Sequence, residues 1–228
     1  MDFKKNINYF TKTDLSKNIG IALMILGVLL LIFGWSYLSF LMMSVSIPAG
    51  LVMFLIGSSC RAGEKDLDAA IERAISNPEP SEEDAAKLKR QALKKIPPIL
   101  ACGYELREGL MLKKDKSGTT RSSEYTKAYL MPLEDALYVS IRSVSLIDSN
   151  KRECSTQIPY RDIKQISLIQ SEVEIPFQKK LFRVKDCRFS ITYQTGGQLS
   201  VPIRDDIISE QFAADLQAQI DKAIPSEG

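Results

Sequence analysis

Apolar positions along this chain follow three rhythms, and each predicts a different kind of element. Between Ile19 and Ser58 they run almost without a break; Ile21 to Phe33 is interrupted only by Gly27. Across 43 positions, from Asn18 to Cys60, there is no Asp, Glu, Lys or Arg. As one helix this stretch would measure roughly 64 Å, about twice a ~30 Å bilayer core, so it predicts two transmembrane helices, about 19–35 and 38–58. Gly34-Trp-Ser-Tyr37 is the expected turn, because Trp and Tyr favour the interface and Gly with Ser breaks the run. Gly20, Gly27 and Gly34 recur every seven residues on the first helix, as do Gly50 and Gly57 on the second, offering stripes where backbones approach closely. Pro48 is expected to kink the second helix. A cleaved signal peptide is the competing reading; the run is too long for one, and the second stretch would still anchor the chain.

The second rhythm has a period near four. Leu67, Ile71 and Ile75 predict an amphipathic helix leaving the membrane, stopped by Asn77-Pro-Glu-Pro80. Ser81 then N-caps another helix with Glu82, Glu83 and Asp84 in its first turn, which ends at Lys94 and Lys95 before Pro97-Pro98. Residues 61–98 are thus a helical connector, read as a stalk or packing element.

From about Ile99 the period becomes two. Candidate strands are Leu110–Lys114, Ser123–Met131, Ala136–Val139, Val144–Ile147, Ser155–Ile158 and Ile163–Ile169. Phe189, Ile191 and Tyr193 alternate with polar residues, Gly196-Gly197 supplies a turn, and Leu199, Val201 and Ile203 alternate on the return. Ile208, Phe212, Leu216 and Ile220 then mark one amphipathic terminal helix. The expected fold class is a membrane-anchored α+β protein: a two-helix transmembrane hairpin, a helical stalk, and an antiparallel β barrel or sandwich capped by the C-terminal helix.

The order of elements over roughly residues 100 to 224 resembles a bacterial pleckstrin-homology-like (PH-like) or GRAM-like domain. The likeness rests on Leu137-Tyr-Val-Ser-Ile-Arg-Ser-Val-Ser-Leu-Ile147, Ile158-Pro-Tyr-Arg-Asp-Ile163 and the hairpin plus helix from Cys187 to Ala223. It implies two nearly orthogonal antiparallel sheets closed at one corner by the last helix. The family's usual tryptophan in that helix is absent, Trp35 being the only one, and Phe212 offers itself at a core-facing position. The stretch Ser123 to Met131 is long for the pattern, and the connection from Glu172 to Lys180 is unusual for it.

Charge and composition narrow the function. Net charge is +2, with the excess in residues 1–18, where Lys4, Lys5, Lys12 and Lys17 face Asp2 and Asp14; residues 61–98 and 99–228 are each balanced. No field would draw in nucleic acid. Basic residues flank the apolar hairpin and none lies in its turn, so the cytoplasmic N-terminal tail (1–18) and the β domain (99–228) should share one side, giving a multi-pass cell-membrane protein with both termini cytoplasmic. The absence of charge within the spans argues against an ion or proton pathway. No histidine exists, which removes the commonest general base and the His-dependent nucleophile and metal motifs. Cys60, Cys102, Cys154 and Cys187 form no CxxC pair and are expected to be free, mostly buried thiols. No metal, cofactor or small-molecule substrate is expected.

The strongest candidate site is the loop Lys113-Lys-Asp-Lys-Ser-Gly-Thr-Thr-Arg121. In eukaryotic PH domains basic residues around the first hairpin loop often bind phosphorylated inositol headgroups. The resemblance therefore implies that Lys113, Lys114, Lys116 and Arg121 meet lipid phosphates; the alternative is an ordinary charged surface loop, with Asp115 diluting the cluster. Lys179, Lys180 and Arg183 form a second basic group. Glu134-Asp135 and Asp205-Asp206 read as turn and cap residues, and Gly196-Gly197 lacks the context of a phosphate loop. The expected function is non-enzymatic: a PH-like interaction or scaffold module for an unknown protein partner or self-association, with strand addition at an exposed sheet edge as the mode. The alternative is a membrane-surface sensor of anionic lipid.

Overall fold

The computed structural model describes residues 1–11, 15–33, 37–59, 62–75, 78–80, 82–204 and 210–223. The chain divides into two compact units, Met1–Leu67 and Asp68–Gly228.

In the first unit the segment read as a tail is a helix, α1 (Phe3–Thr11), which buries Asn6, Tyr9 and Phe10. Asp2 starts it by accepting the Lys5 N–H at 3.1 Å, an N-cap bond. The apolar run forms α2 (Leu15–Phe33) and α3 (Tyr37–Ser59), which pack as a helical hairpin. Most of the expected turn, at 34–36, lies outside the described residues. Part of the glycine stripe works as the seven-residue spacing predicts. A Cβ on Gly20 would lie 2.7 Å from the Gly50 carbonyl oxygen and from the Phe54 nitrogen, and one on Gly27 would meet the Ser46 and Ile47 side chains. Helix α3 continues through Pro48. Away from the helix contact, large apolar side chains face outward, among them Leu31, Ile32, Phe33, Phe40 and Val45. From Phe40 to Ser58, α3 is long and apolar enough to cross a membrane; the apolar part of α2, Lys17–Phe33, is shorter.

The second unit begins inside α4 (Glu64–Ala74) and continues with α5 (Glu82–Gln91). Among the described residues nine strands follow: β1 (Ile99–Tyr104), β2 (Leu112–Lys114), β3 (Thr120–Ser122), β4 (Glu124–Pro132), β5 (Ala136–Ser145), β6 (Lys151–Pro159), β7 (Ile163–Phe177), β8 (Lys180–Tyr193) and β9 (Gln198–Pro202). Helix α6 (Glu210–Ala223) ends the described chain. All pairing is antiparallel: a four-stranded sheet in the order β1-β4-β5-β6, a β2-β3 hairpin inserted between β1 and β4, and a three-stranded sheet β7-β8-β9.

Strand alternation sets the core. On β5, Leu137 and Val139 face inward with Ala128 and Leu130 of β4, against Ile166, Phe189, Ile191 and Val201 of the second sheet. Phe212, Leu216 and Ile220 of α6 join the same cluster, as their four-residue spacing predicts. Tyr160, fully buried, donates its hydroxyl to the Leu133 carbonyl at 2.7 Å. Burial pushes the Tyr160 hydroxyl up to about 12, so it stays a donor at neutral pH.

The expected barrel does not close. Where β1 nears β9, the contact is Gly103 against Pro202, and a proline there has no N–H to extend a ladder. An ionic clamp lies nearby, with Arg188 donating to Glu105 at 3.0 Å and to the Ser200 hydroxyl at 2.8 Å.

The connector is not a free stalk. The outer face of the four-stranded sheet presents Met131 and Tyr138, and Leu88 of α5 buries against them with Leu133 and Ala136. Lys127, almost fully buried on β4, donates to Glu72 at 3.2 Å and to the Ile75 carbonyl at 3.3 Å, just beyond α4. Lys151 donates to the Ala74 carbonyl at 3.2 Å. Two ammonium groups thus satisfy carbonyls at the C-terminal end of α4, where the helix dipole favours cations. The N-cap assigned to Ser81 lies outside the described residues.

Several strand expectations change, and β1 and β3 fall outside the candidate strands altogether. Ala136–Val139 and Val144–Ile147 are not separate: β5 runs through Ser140-Ile-Arg-Ser143, whose polar residues do not interrupt the strand. Ser155–Ile158 is the end of a longer β6. The connection from Glu172 to Lys180 is mostly strand, pairing as far as Phe177 opposite Lys180, with Gln178 in the left-handed region at φ 55°.

Candidate functional site

The sequence places Lys113, Lys114, Lys116 and Arg121 in one loop, and they do share one hairpin. Lys113 lies opposite Arg121 and Lys114 opposite Thr120 across β2 and β3. Lys114 and Lys116 are exposed, while Lys113 and Arg121 are half-buried. Gly118, at φ 88°, lets the chain turn between them.

Asp115 organises this turn. Its carboxylate accepts hydrogen bonds from the Ser117 N–H (2.9 Å) and hydroxyl (2.6 Å), the Thr119 N–H (2.9 Å) and the Arg121 guanidinium (3.1 Å). Arg121 also pairs with Asp68 at 2.5 Å and donates to the Tyr104 hydroxyl at 3.1 Å. It is therefore held by two carboxylates and a phenol, so a lipid phosphate would have to displace internal partners. A cleft of about 410 Å³ opens beside it, with Tyr104, Asp115, Lys185, Asp186 and Arg204 also in its wall. Both of its acids are engaged, since Asp186 lies 3.7 Å from Arg188 and Asp115 holds Arg121.

Burial alone would raise the Asp115 pKa, but the hydrogen bonds from Ser117, Arg121 and Thr119 outweigh it and hold the carboxyl below its usual range. A depressed folded-state value gives stability that is present above the unfolded value, ~3.9, and lost as pH falls through the folded value. Thermal melting of the chain should therefore weaken progressively on acidification below about pH 4. Asp115→Asn should remove this part of the pH dependence and cost about 1–2 kcal/mol at neutral pH. An unchanged acid limb in the variant would show that Asp115 is not the titrating group.

The sheet edges are more informative than the basic loop. The Gly103–Pro202 contact brings the edges of β1 and β9 against each other. Only the start of the β7 edge is covered by α6, where Gln217 accepts the Ile166 N–H at 2.8 Å; from Ile169 to Glu172 β7 is exposed. Among the described residues strand β6 pairs with β5 alone, and Lys151 through Gln157 are all exposed. Charges crowd one end of it, Lys151-Arg-Glu153, where they discourage indiscriminate pairing. Cys154-Ser-Thr-Gln157 is uncharged. Beside it lies a cavity of about 600 Å³, walled by α5 residues such as Lys87 and Gln91 and by Tyr138, Ser140, Ser155 and Gln157.

Sequence reasoning named strand edges in general but not β6, because edge status depends on which strands pair. It also missed Lys127, Glu72, Glu105 and Gln217. One signal was available for Lys127: it interrupts the outer-face series Tyr125, Tyr129, Met131 with a cation, as a helix C-terminus laid on that face would require. No group of three or more Cys, Asp or Glu suited to a metal ion occurs among the described residues. Comparison of the chain with family models, with curated proteins and with solved structures finds no match.

Proposed function

We propose that this chain is a non-enzymatic membrane protein in which a two-span hairpin carries a PH-like domain that binds an extended segment of a partner protein at strand β6. The observation that carries the interaction role is the open β6 edge, whose uncharged stretch Cys154–Gln157 lies beside a polar cavity. A strand added there gains main-chain hydrogen bonds and drops alternate side chains toward the cavity. The PH-like reading is supported by strand order: a four-stranded sheet, a three-stranded sheet, then a helix packed on β7, with β2 and β3 as an insertion in the first hairpin.

Membrane anchoring is supported by the apolar outward surface of both α2 and α3, far larger than soluble monomers leave in water. At 19 residues, α2 measures about 28 Å, enough to cross with its ends at the interface. Lysines before α2, and Arg61 and Lys65 after α3, favour a cytoplasmic second unit in a multi-pass cell-membrane protein.

A photoreactive amino acid at Thr156 in the full chain, irradiated in native membranes, tests the interaction role. One discrete adduct from Thr156 is expected, with none from Gln170, an exposed position on β7. Equal labelling from both positions, or no adduct from Thr156, would contradict the β6 reading.

A further inference from the structure

Beyond the last β9 pairing, Arg188 opposite Pro202, strands β7 and β8 ladder only with each other among the described residues, although Ile175 and Asp186 within this ribbon are buried and the Cys187 carbonyl accepts the Ile203 N–H at 2.9 Å. From Lys180 to Cys187 this is eight residues, about 26 Å. Charges along it are matched in register: Glu172 stands opposite Lys185, and Glu174 opposite Arg183, which bonds to it at 2.5 Å. Such cross-strand pairs stabilise a ribbon and cancel its field. At the tip the matching stops. Lys179 and Lys180 are exposed and face no acid across the register.

The tip is also apolar. Leu181 is 56% exposed, and it and Ile169 are the only exposed large apolar side chains in the second unit among the described residues. Its neighbour across the register, Pro176, is exposed too, while Phe177 and Phe182 meet on the other face with centroids 6.3 Å apart and rings tilted by 58°. An exposed apolar pair beside two unmatched lysines suits one environment well: a bilayer interface whose headgroups are anionic.

We propose that the tip of the β7–β8 ribbon docks on an anionic bilayer surface, Leu181 and Pro176 entering the headgroup boundary and Lys179 and Lys180 pairing with lipid phosphates. This rests on the membrane-anchor reading. If α3 is anchored, the nine Cα–Cα steps from Ser59 to Asp68 reach at most about 30 Å, so Asp68 stays within that distance of the anchor and a weak lipid contact suffices.

The test uses the full chain with Trp35→Phe and Leu181→Trp, reconstituted in phosphatidylcholine vesicles with or without phosphatidylglycerol, some lipids carrying bromine near the headgroup end of the acyl chain. In anionic vesicles the introduced indole should shift to the blue and be quenched by bromine, and both effects should vanish with Lys179→Glu plus Lys180→Glu or with high salt. Pro176→Trp provides the same readout should the first substitution disturb pairing. A chain that fails to float with vesicles would overturn the anchor and the proposal together. A chain that floats while the indole stays water-exposed overturns the ribbon contact alone. A blue-shifted indole insensitive to bromine would mean a protein contact at the tip, and quenching indifferent to lipid charge would remove the lysines' role; either result also overturns the proposal.

Discussion

Replacing Gly20 by leucine should separate α2 from α3. A Cβ at this position meets main-chain atoms at 2.7 Å, the Gly50 oxygen and the Phe54 nitrogen, so no rotamer change relieves the clash. The helices must move apart, and the close packing that associates helices in a bilayer, where hydrophobicity between them contributes little, is lost. The expected cost is about 3 kcal/mol or more, the upper end for overpacking, because the obstruction is backbone. Gly50→Leu should act alike, since its Cβ would meet the Gly20 oxygen at 2.7 Å. Thermal unfolding in mild detergent, followed by the single tryptophan, measures it; Leu31→Ala on the exposed face is the control and should change little. Equal midpoints for Gly20→Leu and wild type would show that the two helices do not meet at this glycine.

Lys127→Glu should release α4 from the sheet. The change buries a carboxylate on β4 beside Glu72 and the carbonyl end of α4, where repulsion, desolvation and the helix dipole all oppose it. About 4 kcal/mol is expected from a buried, wrongly paired charge, whereas Lys127→Met keeps the aliphatic stem and should lose only about 1–2 kcal/mol with the hydrogen bonds. Glu72 contributes less than the carbonyl, because its side chain is 72% exposed and is solvated when the lysine is gone. Hydrogen exchange of the amides from Asp68 to Ala74 reads the release directly. Protection unchanged in Lys127→Glu would mean that α4 is held by Ala70, Ile71 and Ile75 alone.

The elements that sequence predicts well are those whose partner is dictated by solvent. The α2–α3 hairpin follows from 43 uncharged positions, and α6 from Phe212, Leu216 and Ile220, all of which are buried. The β8–β9 hairpin follows from alternation around Gly196-Gly197, where Gly196 adopts φ 87°. Elements defined by long-range pairing were harder to see. Val173, Ile175 and Phe177 alternate with Glu172, Glu174 and Pro176, yet Pro176 and the lysines that follow read as a loop until β8 is laid beside β7. The candidate loop lies in a hairpin whose second strand, β3, the sequence pattern does not mark, and its electrostatics are not legible in the sequence. Asp68, which holds Arg121, lies 53 residues away in sequence. Likewise, the four-residue spacing of Leu67, Ile71 and Ile75 predicts a helix with an apolar face without saying that Lys127 and Lys151 fix its end to the sheet.

Cysteine accessibility in intact cells tests the central claim, a membrane hairpin carrying a cytoplasmic interaction domain, most directly. Cys154 is exposed on β6, the proposed docking edge. In a chain retaining only Cys154, a membrane-impermeant maleimide should label it only after the membrane is opened. With Ser36→Cys as the sole thiol, labelling should occur in intact cells. Labelling of Cys154 from outside would contradict the account, and protection of the position-36 thiol in intact cells would replace the two-span hairpin with one that does not cross.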